Sequence, residues 1–255
     1  MRPLLLALVL LPLLAVPAPA DADDPAQAGA EPVGKVLATE GRVSATLGAD
    51  TRTVERGEAV YQGDWLETDA RSRAKILLDD ETELVVGPAS RLHIDEFVYA
   101  ANDDQGKVLI ELGVGLLRFT TGVLEPDSYE VKTPVASIGV RGTIFDVLVA
   151  AVSYVTTVIL RDGSIVITTL GGPQVVDQAG NASVATRSST PPEPQRKATA
   201  GEEKQSDPLK HPFKDELPRL GKRPTLPRNV GKPVVNPGQN RPSVNRPKFQ
   251  GGPRY

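Results

Sequence analysis

The chain has 255 residues, with 29 Lys and Arg, 32 Asp and Glu, two His and no Cys. Without Cys it has no disulfide framework, no Cys-ligated zinc or iron–sulfur site and no Cys nucleophile, and two distant His residues exclude a multi-histidine metal site. The net charge of −3 conceals an asymmetry, because residues 21–187 carry a balance of −12 and residues 188–255 a balance of +8. An acidic body and a basic tail in one chain predict two different roles.

Residues 1–20 have the three-part layout of a secretory signal peptide. Arg2 supplies a positive start, residues 4–16 form an uncharged apolar run, and Ala18 and Ala20 are the small residues that a signal peptidase requires. The apolar run is too short to span a bilayer, and prolines interrupt it. The sequence therefore predicts cleavage after Ala20 and a periplasmic or secreted protein with no transmembrane segment in the mature chain.

A flexible lead-in at 21–32 precedes a predicted β domain at 33–185. Short runs of β-branched and aliphatic residues alternate there with turns rich in Gly, Pro and Asp, which is typical of an all-β sandwich, barrel or solenoid. Runs such as 76–78 and 158–160 are apolar on both faces, and aromatic residues make up only 4% of the chain. Layers of Val, Leu and Ile stacked rung on rung fit these features, so we expect a β-solenoid. The predicted strands are 34–39, 42–47, 64–67, 74–78, 83–86, 90–94, 107–112, 116–120, 129–133, 143–149, 154–160, 164–168 and 174–176.

Residues 186–255 form a basic tail that contains 13 of the 23 prolines. Each proline removes a backbone donor and restricts the residue before it, so neither a helix nor a central strand propagates. The sequence predicts that this tail is extended and disordered in isolation. From Leu217 to Tyr255 it carries nine Lys or Arg and no acidic residue, so it attracts anionic polymers or lipid headgroups. The alternatives are that it is a spacer or that it folds back on the acidic body.

A series of motifs in the β domain follows the order of a known periplasmic domain. The motifs are GDWLET at 63–68, SRAKILLDD at 72–80, LVVGPASRL at 84–92, GVGLLR at 113–118, YEVKTPVA at 129–136, VRGTIFDV at 140–147 and LRDGSIV at 160–166. This series resembles the FecR domain over residues 33–180, and its most specific part is 133–147. The resemblance implies a solenoid-like β fold and an extracytoplasmic, partner-binding module. It also implies a stand-alone exported member, because the anti-sigma segment and membrane helix of the family's regulators have no counterpart here.

One turn departs from the family pattern. The family's usual D-G-S turn reads Asp80-Glu81-Thr82 in this sequence. Loss of the central glycine predicts an altered hairpin at this point, because glycine adopts turn conformations that other residues avoid.

Acidic clusters at 79–83, 95–96 and 103–104 are the candidates for glycan hydrolysis, which needs two carboxyl groups at a suitable separation. Acids at turns are, however, most often solvated surface residues. His93 lies in a predicted strand with no visible catalytic partner. The sequence therefore predicts no catalytic, metal-binding or cofactor-binding residue and no cofactor.

Three residues are candidate contacts for a partner: Trp65, Arg141 and Thr143. Trp65 is the only tryptophan, and an arginine fork suits carboxylates. The structural alternatives are that Trp65 lies at the edge of the core, that Gly142 makes a turn and that Arg141 pairs with a surface acid.

These observations predict a non-enzymatic, exported FecR-domain protein that acts as a binding or signalling-type interaction module at the cell envelope. The expected partner is another envelope protein or a glycan, and the basic tail is expected to tether the protein to anionic envelope components. Nucleic acid is not expected as a partner, because the protein is exported and the tail has few aromatic residues for base stacking. Two alternatives stay open: an envelope glycan-acting enzyme with an acidic pair, and a self-assembling surface structural protein.

Overall fold

The computed structural model describes residues 30–100 and 103–217. The predicted signal peptide with its cleavage site, most of the lead-in and residues 218–255 lie outside the described residues. More than half of the described chain is β-strand, which confirms the predicted all-β class. The strands are β1 Pro32–Glu40, β2 Val43–Leu47, β3 Asp50–Thr53, β4 Ala59–Tyr61, β5 Trp65–Thr68, β6 Arg73–Leu78, β7 Glu83–Val86, β8 Arg91–Ala100, β9 Asp103–Thr120, β10 Tyr129–Lys132, β11 Ser137–Val149, β12 Thr156–Thr169, β13 Gly172–Val176, β14 Asn181–Ala185 and β15 Arg196–Lys197.

Within the described ranges, the strands join into one continuous sheet. Its main path runs β15-β14-β12-β11-β10-β9-β7-β6-β1-β4, while β8, β5, β2 and β3 branch from β9 and β13 pairs with β12. Adjacent strands are antiparallel, apart from β9 and β10, which pair in parallel. The rungs of a parallel β-helix pair in parallel instead. The predicted β-solenoid is therefore not confirmed.

The sheet encloses an aliphatic core drawn from almost all of its strands. Phe119 and Phe145 are the largest fully buried side chains, and their ring centroids lie 5.4 Å apart. Tyr129 meets Phe119 edge to face with its centroid 5.9 Å away. A few aromatic rings among many Val, Leu and Ile side chains agree with the low aromatic content of the sequence.

β9 and β12 each join two strands that the sequence predicts separately, 107–112 with 116–120 and 154–160 with 164–168. The glycines between them do not reverse the chain. Gly163, at φ +85°, lies within β12, where the register against β11 shifts by a bulge. A glycine that signals a turn in the sequence therefore bends a continuous strand instead. The short strands β3 and β4 and the buried strand β14 were not predicted.

Residues 186–217, called the strap below, are ordered and pack on the body, so the predicted disordered tail at 186–255 begins too early. The strap contains β15, a short helix α1 at Ala200–Gln205 and a 3-10 turn at Asp207–Leu209. Leu209 and Phe213 are buried against the outer face of the sheet. The sequence pattern does not predict this packing, because isolated apolar residues among prolines show no periodicity. Each of them can nevertheless be buried on its own. No helix among the described residues is long and apolar enough to cross a membrane.

The Asp80-Glu81-Thr82 turn closes the β6–β7 hairpin without a glycine. Glu81 adopts φ +66°, the left-handed conformation that glycine prefers. The carboxylate of Asp80 accepts hydrogen bonds from the Thr82 amide at 3.1 Å, the Thr82 hydroxyl at 2.6 Å and the Tyr129 hydroxyl at 3.1 Å. The predicted alteration is therefore backbone strain at Glu81 within an intact, buried turn.

Candidate functional site

An acidic cleft opens between the start of β1, the turn after β6 and strand β8, with a volume of about 570 Å³. Phe97 and Tyr99 pack partly against the core and form its apolar part. Glu31, Asp79 and Asp95 bring carboxyl groups to its rim. The described residues that line it are Ala30, Glu31, Pro32, Val33, Gln62, Gly63, Asp79, His93, Asp95, Phe97 and Tyr99, none of which is Lys or Arg.

A β-bulge in β8 gives the cleft its mixture of aromatic and acidic side chains. The register against β9 shifts between Ile94 and Glu96, so Asp95 is an extra residue in the strand. After this shift the alternation places Phe97 on the core side and Val98 outward, where Val98 is 52% exposed. The bulge thus sets an acid at the rim directly beside an apolar wall.

A stack of three side chains, called the ladder below, borders the cleft. It consists of Trp65 on β5 and of His93 and Arg91 on β8. The Trp65 indole lies parallel to the His93 imidazole, with 4.3 Å between ring centroids. The Arg91 guanidinium lies over the same indole at 4.2 Å, and it pairs with Glu67 at 3.1 Å. His93 and Arg91 thus both stack on the Trp65 indole. A ligand that stacked on this ring would compete with these two side chains.

Carboxylates dominate the electrostatics on the cleft side of His93. Its Nδ1 atom lies 3.4 Å from Glu111 Oε2 and 3.9 Å from Asp95 Oδ1, and it makes no hydrogen bond with a described residue. At the other side of the cleft, partial burial raises the pKa of Asp79, and the charge of Lys35 opposes this shift. A concave surface lined by one sign of charge attracts ligands of the other sign.

The cleft has the chemistry to bind a cationic side chain. Carboxylates accept charge-assisted hydrogen bonds from Lys or Arg, and aromatic faces attract the same cations. In the described part of the chain, no group of three or more His, Asp or Glu is placed to hold a metal ion. The rim acids thus surround the opening of the cleft and do not converge on a single position for an ion.

The three predicted contact residues have different surroundings. Trp65 is half-buried in the ladder beside the cleft. Arg141 is 39% exposed and lies 3.6 Å from the exposed carboxylate of Asp127, which is the surface pairing expected as its structural alternative. Thr143 is fully buried, so it cannot contact a partner and that prediction is wrong. Among the described residues, no hydrogen bond, ion pair or ring contact joins Trp65 to Arg141 or Thr143.

The VRGTIFDV motif at 140–147 supports the fold. Its buried Asp146 accepts hydrogen bonds from Arg118 Nε at 2.6 Å and from Arg161 Nε at 2.8 Å, so it joins β11 to both neighbouring strands. Gly142, at φ +61°, lies in the β-bulge opposite β12. The residues of this motif therefore stabilise the pairing of β11 with its neighbours, and none of them lines the acidic cleft.

The cleft itself was missed as a unit in the sequence. Asp79 and Asp95 belong to two acidic clusters that the sequence predicts to be solvated turns, and their approach depends on long-range strand pairing. A usable signal was present at Phe97 and Tyr99, because aromatic residues two positions apart share one face of a strand. Two aromatics on one face of a strand that also carries Asp95 and Glu96 indicate an apolar wall beside acidic groups.

The fold places the protein in the all-β class, with a strap that crosses the outer face of the sheet. Residues 64–166 match the family model described as FecR protein. The match confirms the resemblance seen in the motifs and contains all cleft residues from Asp79 to Tyr99. No curated protein matches the sequence.

Two solved structures resemble the chain. Both are crystal structures of a candidate anti-sigma factor from Parabacteroides distasonis ATCC 8503, at 1.65 and 2.50 Å resolution. Each gives a TM-score of 0.44 at 13% sequence identity and covers 55% of this chain. The aligned part is 62% of that protein, so this chain spans less than two thirds of its length.

Proposed function

We propose that this protein is an exported, non-enzymatic interaction module at the cell envelope, and that its FecR domain binds a basic segment of a protein partner in the acidic cleft. The observation that carries the proposal is the pairing of rim carboxylates with an aromatic wall inside the region that matches the family. Lys and Arg are the residues that use both features at once. A regulatory, signalling-type role fits a FecR domain.

The stacking of side chains on Trp65 favours a protein partner over a glycan. Glycan-binding sites commonly use an open aromatic face, and the Trp65 indole is already stacked with His93 and Arg91. The exposed acids Glu31 and Asp79, in contrast, are available to a cation. In this proposal the acids of the cleft contact the partner in place of Trp65. The Trp65 ring instead holds the His93 ring by stacking.

The basic tail adds a second, less specific interaction. Residues 218–255 carry nine Lys or Arg and no acid, so they are attracted to phosphates of lipid headgroups or anionic wall polymers. Each Lys or Arg near an anionic surface contributes about 1 kcal/mol, and the attraction falls with ionic strength. We infer that the tail holds the exported protein near the envelope while the cleft selects the partner.

The cleft proposal is tested by photocrosslinking in intact cells from a photoreactive amino acid at the exposed position Gln62. We expect a defined protein adduct that is lost in the Asp79→Asn/Asp95→Asn variant. The control variant Asp50→Asn/Glu125→Gln removes two exposed acids elsewhere and should keep the adduct. An adduct that survives loss of the cleft acids, or a wall polymer in place of a protein, would overturn the proposal.

One observation favours a second candidate, a glycan-acting enzyme. Asp79 and Asp95 line the same cleft, and the raised pKa of Asp79 is the direction that a general acid requires. Release of soluble fragments from purified peptidoglycan decides between the two. An enzyme loses this activity in each single variant, Asp79→Asn and Asp95→Asn, whereas an interaction module releases nothing in any form.

A further inference from the structure

We propose that the chain's own segment 218–228 occupies the acidic cleft, so that a partner must displace it. This inference rests on the proposed function of the cleft, and it adds an intramolecular competitor. The occupant follows from three features of the described residues: the direction in which the strap ends, the distance from that end to the cleft, and the charges on both sides.

The end of the strap runs beside β1 in the opposite direction. The backbone N–H of Lys214 lies 3.4 Å from the carboxylate of Glu40, and three residues later the N–H of Leu217 donates to the carbonyl of Leu37 at 2.9 Å. The ion pair between Glu216 and Lys75, at 2.6 Å, holds the same stretch on β6. The strap therefore runs antiparallel to β1 as far as Leu37. Beyond that point β1 is paired with β4 on one side and with β6 on the other, so a chain that continues in this direction passes over these strands toward Val33 at the cleft.

The remaining distance is short. From Leu37 to Val33 a strand of four residues spans about 13 Å, at roughly 3.3 Å per residue. The carbonyl of Val33 accepts a hydrogen bond from the Asp79 amide at 3.0 Å, so this end of β1 lies directly beside the cleft rim. Four or five extended residues after Leu217 therefore cover the distance to Asp79. Lys222 and Arg223 are the residues at that point of the sequence.

The charges favour this occupant. Segment 218–228 carries Arg219, Lys222, Arg223 and Arg228 and no acid, and it would enter a cleft whose charged lining residues are acidic. The other segment that leads to the cleft, residues 21–29, contains three Asp and no Lys or Arg. Like charges would oppose its entry. Ion pairs at a solvent-exposed rim are individually weak, but tethering raises the local concentration of the segment to about the millimolar range.

Carbodiimide crosslinking of the full mature chain tests the contact, because this reagent joins a Lys amine directly to a neighbouring carboxyl group. Within one chain, we expect the yield from Lys222 to the cleft acids to exceed the yields from Lys232 and Lys248 by about fivefold, given the short tether. Mixing ¹⁵N-labelled and unlabelled protein separates crosslinks within a chain from those between copies. Equal yields from the three lysines, or a majority of crosslinks between chains, would overturn the inference.

Binding of a fluorescent octa-arginine peptide to the full chain separates this inference from the proposed function. If the segment competes for the cleft, Lys222→Gln/Arg223→Gln increases the affinity for the peptide by about fivefold, because the tethered competitor is weakened. The control Arg246→Gln/Lys248→Gln removes two charges farther along and leaves the affinity unchanged. If both variants bind the peptide equally, and removal of the cleft acids abolishes peptide binding, the inference is rejected and the proposed function stands. Peptide binding that does not change when the cleft acids are removed counts against the proposed function. In that case the crosslinking experiment still tests whether segment 218–228 occupies the cleft.

Discussion

Arg73 and Phe213 join the FecR domain to the strap, with the Arg73 guanidinium stacked 4.2 Å above the Phe213 ring. The same guanidinium donates hydrogen bonds to three strap carbonyls, those of Pro208, His211 and Pro212, at 3.0, 2.7 and 2.9 Å. Its Nε donates to Glu40 at 2.9 Å. One side chain of β6 thus fixes a proline-rich segment that lacks regular backbone pairing.

Replacing Arg73 by Lys should release the strap while the body stays folded. An ammonium group keeps the charge but cannot donate to three carbonyls and stack on a ring, and hydrogen bonds from a charged donor contribute about 1.5–3 kcal/mol. We expect Arg73→Lys to lower the free energy of strap opening by about 2 kcal/mol, measured as amide hydrogen exchange at Leu209 and Leu217. The exposed neighbour gives the matched control, Arg71→Lys. Unchanged exchange at both amides would contradict this role of Arg73.

Asp146 is the second anchor, since it is buried between Arg118 and Arg161, and Arg161 also donates to Glu203 of the strap at 2.7 and 2.9 Å. Asp146→Asn keeps the shape but removes the counter-charge of the partly buried Arg118 guanidinium, and it leaves Arg161 with Glu203 as its ion-pair partner. We expect a loss of about 3 kcal/mol in the free energy of unfolding, measured by urea denaturation. Glu203→Gln should cost less than 1 kcal/mol, because that pair is more exposed. A small effect at Asp146 would show that the Arg residues find other partners.

The strand pattern was accessible from sequence because it depends on local alternation and on turn residues. Strands at 83–86 and 129–132 agree with their predictions to within one residue. The sheet topology and the cleft depend on pairings between distant strands, such as the parallel contact of β9 with β10, and local patterns do not encode these. The strap was missed for a different reason: Leu209 and Phe213 are single apolar residues whose burial depends on the charged groups around them.

The bulge between β11 and β12 requires a glycine at position 163. Gly163 has φ +85°, and an added methyl group would meet the carbonyl of Gly142 and the side chain of Thr143. We expect Gly163→Ala to lower the free energy of unfolding by about 2 kcal/mol or more, combining left-handed strain with a backbone clash. Gly139→Ala on β11 is the control, since its new methyl would have only an ordinary contact, 3.9 Å from the carbonyl of Val166. Thermal unfolding of the two variants gives the comparison, and equal melting temperatures would exclude the proposed strain.

Glu81 offers a substitution that should stabilise the protein. Its left-handed backbone costs a non-glycine residue about 1–2 kcal/mol, and a glycine would remove this cost while adding about 0.5–1 kcal/mol of unfolded-state entropy. We expect Glu81→Gly to raise the free energy of unfolding by about 0.5 kcal/mol. Glu55→Gly in an exposed turn, where the backbone φ is not positive, should lower it by a similar amount. Chemical denaturation of both variants checks the sign, and destabilisation by Glu81→Gly would show that the Glu81 side chain itself stabilises the turn.

Acid should release the strap before it unfolds the body. The hydrogen bond from Arg196 lowers the pKa of Glu202 from 4.5 to about 2, and the hydrogen bond from Arg161 lowers the pKa of Glu203. Because the folded-state values lie below the unfolded ones, this stabilisation is fully present above pH 4.5 and is lost as the pH falls toward 2. Asp80 in the body has the opposite sign, since burial raises its pKa and its protonated form is favoured by folding.

We therefore expect strap amide signals in NMR spectra to change below pH 4.5 while those of core strands such as β11 persist. The Glu202→Gln/Glu203→Gln variant should lose this pH dependence and show a weakened strap at neutral pH, because the charged pairs are absent at every pH. Glu125→Gln removes an exposed acid and should keep the wild-type profile. Simultaneous loss of strap and core signals would mean that the strap and the body unfold as one cooperative unit, in which case the strap could not be released separately by protonation of its acids.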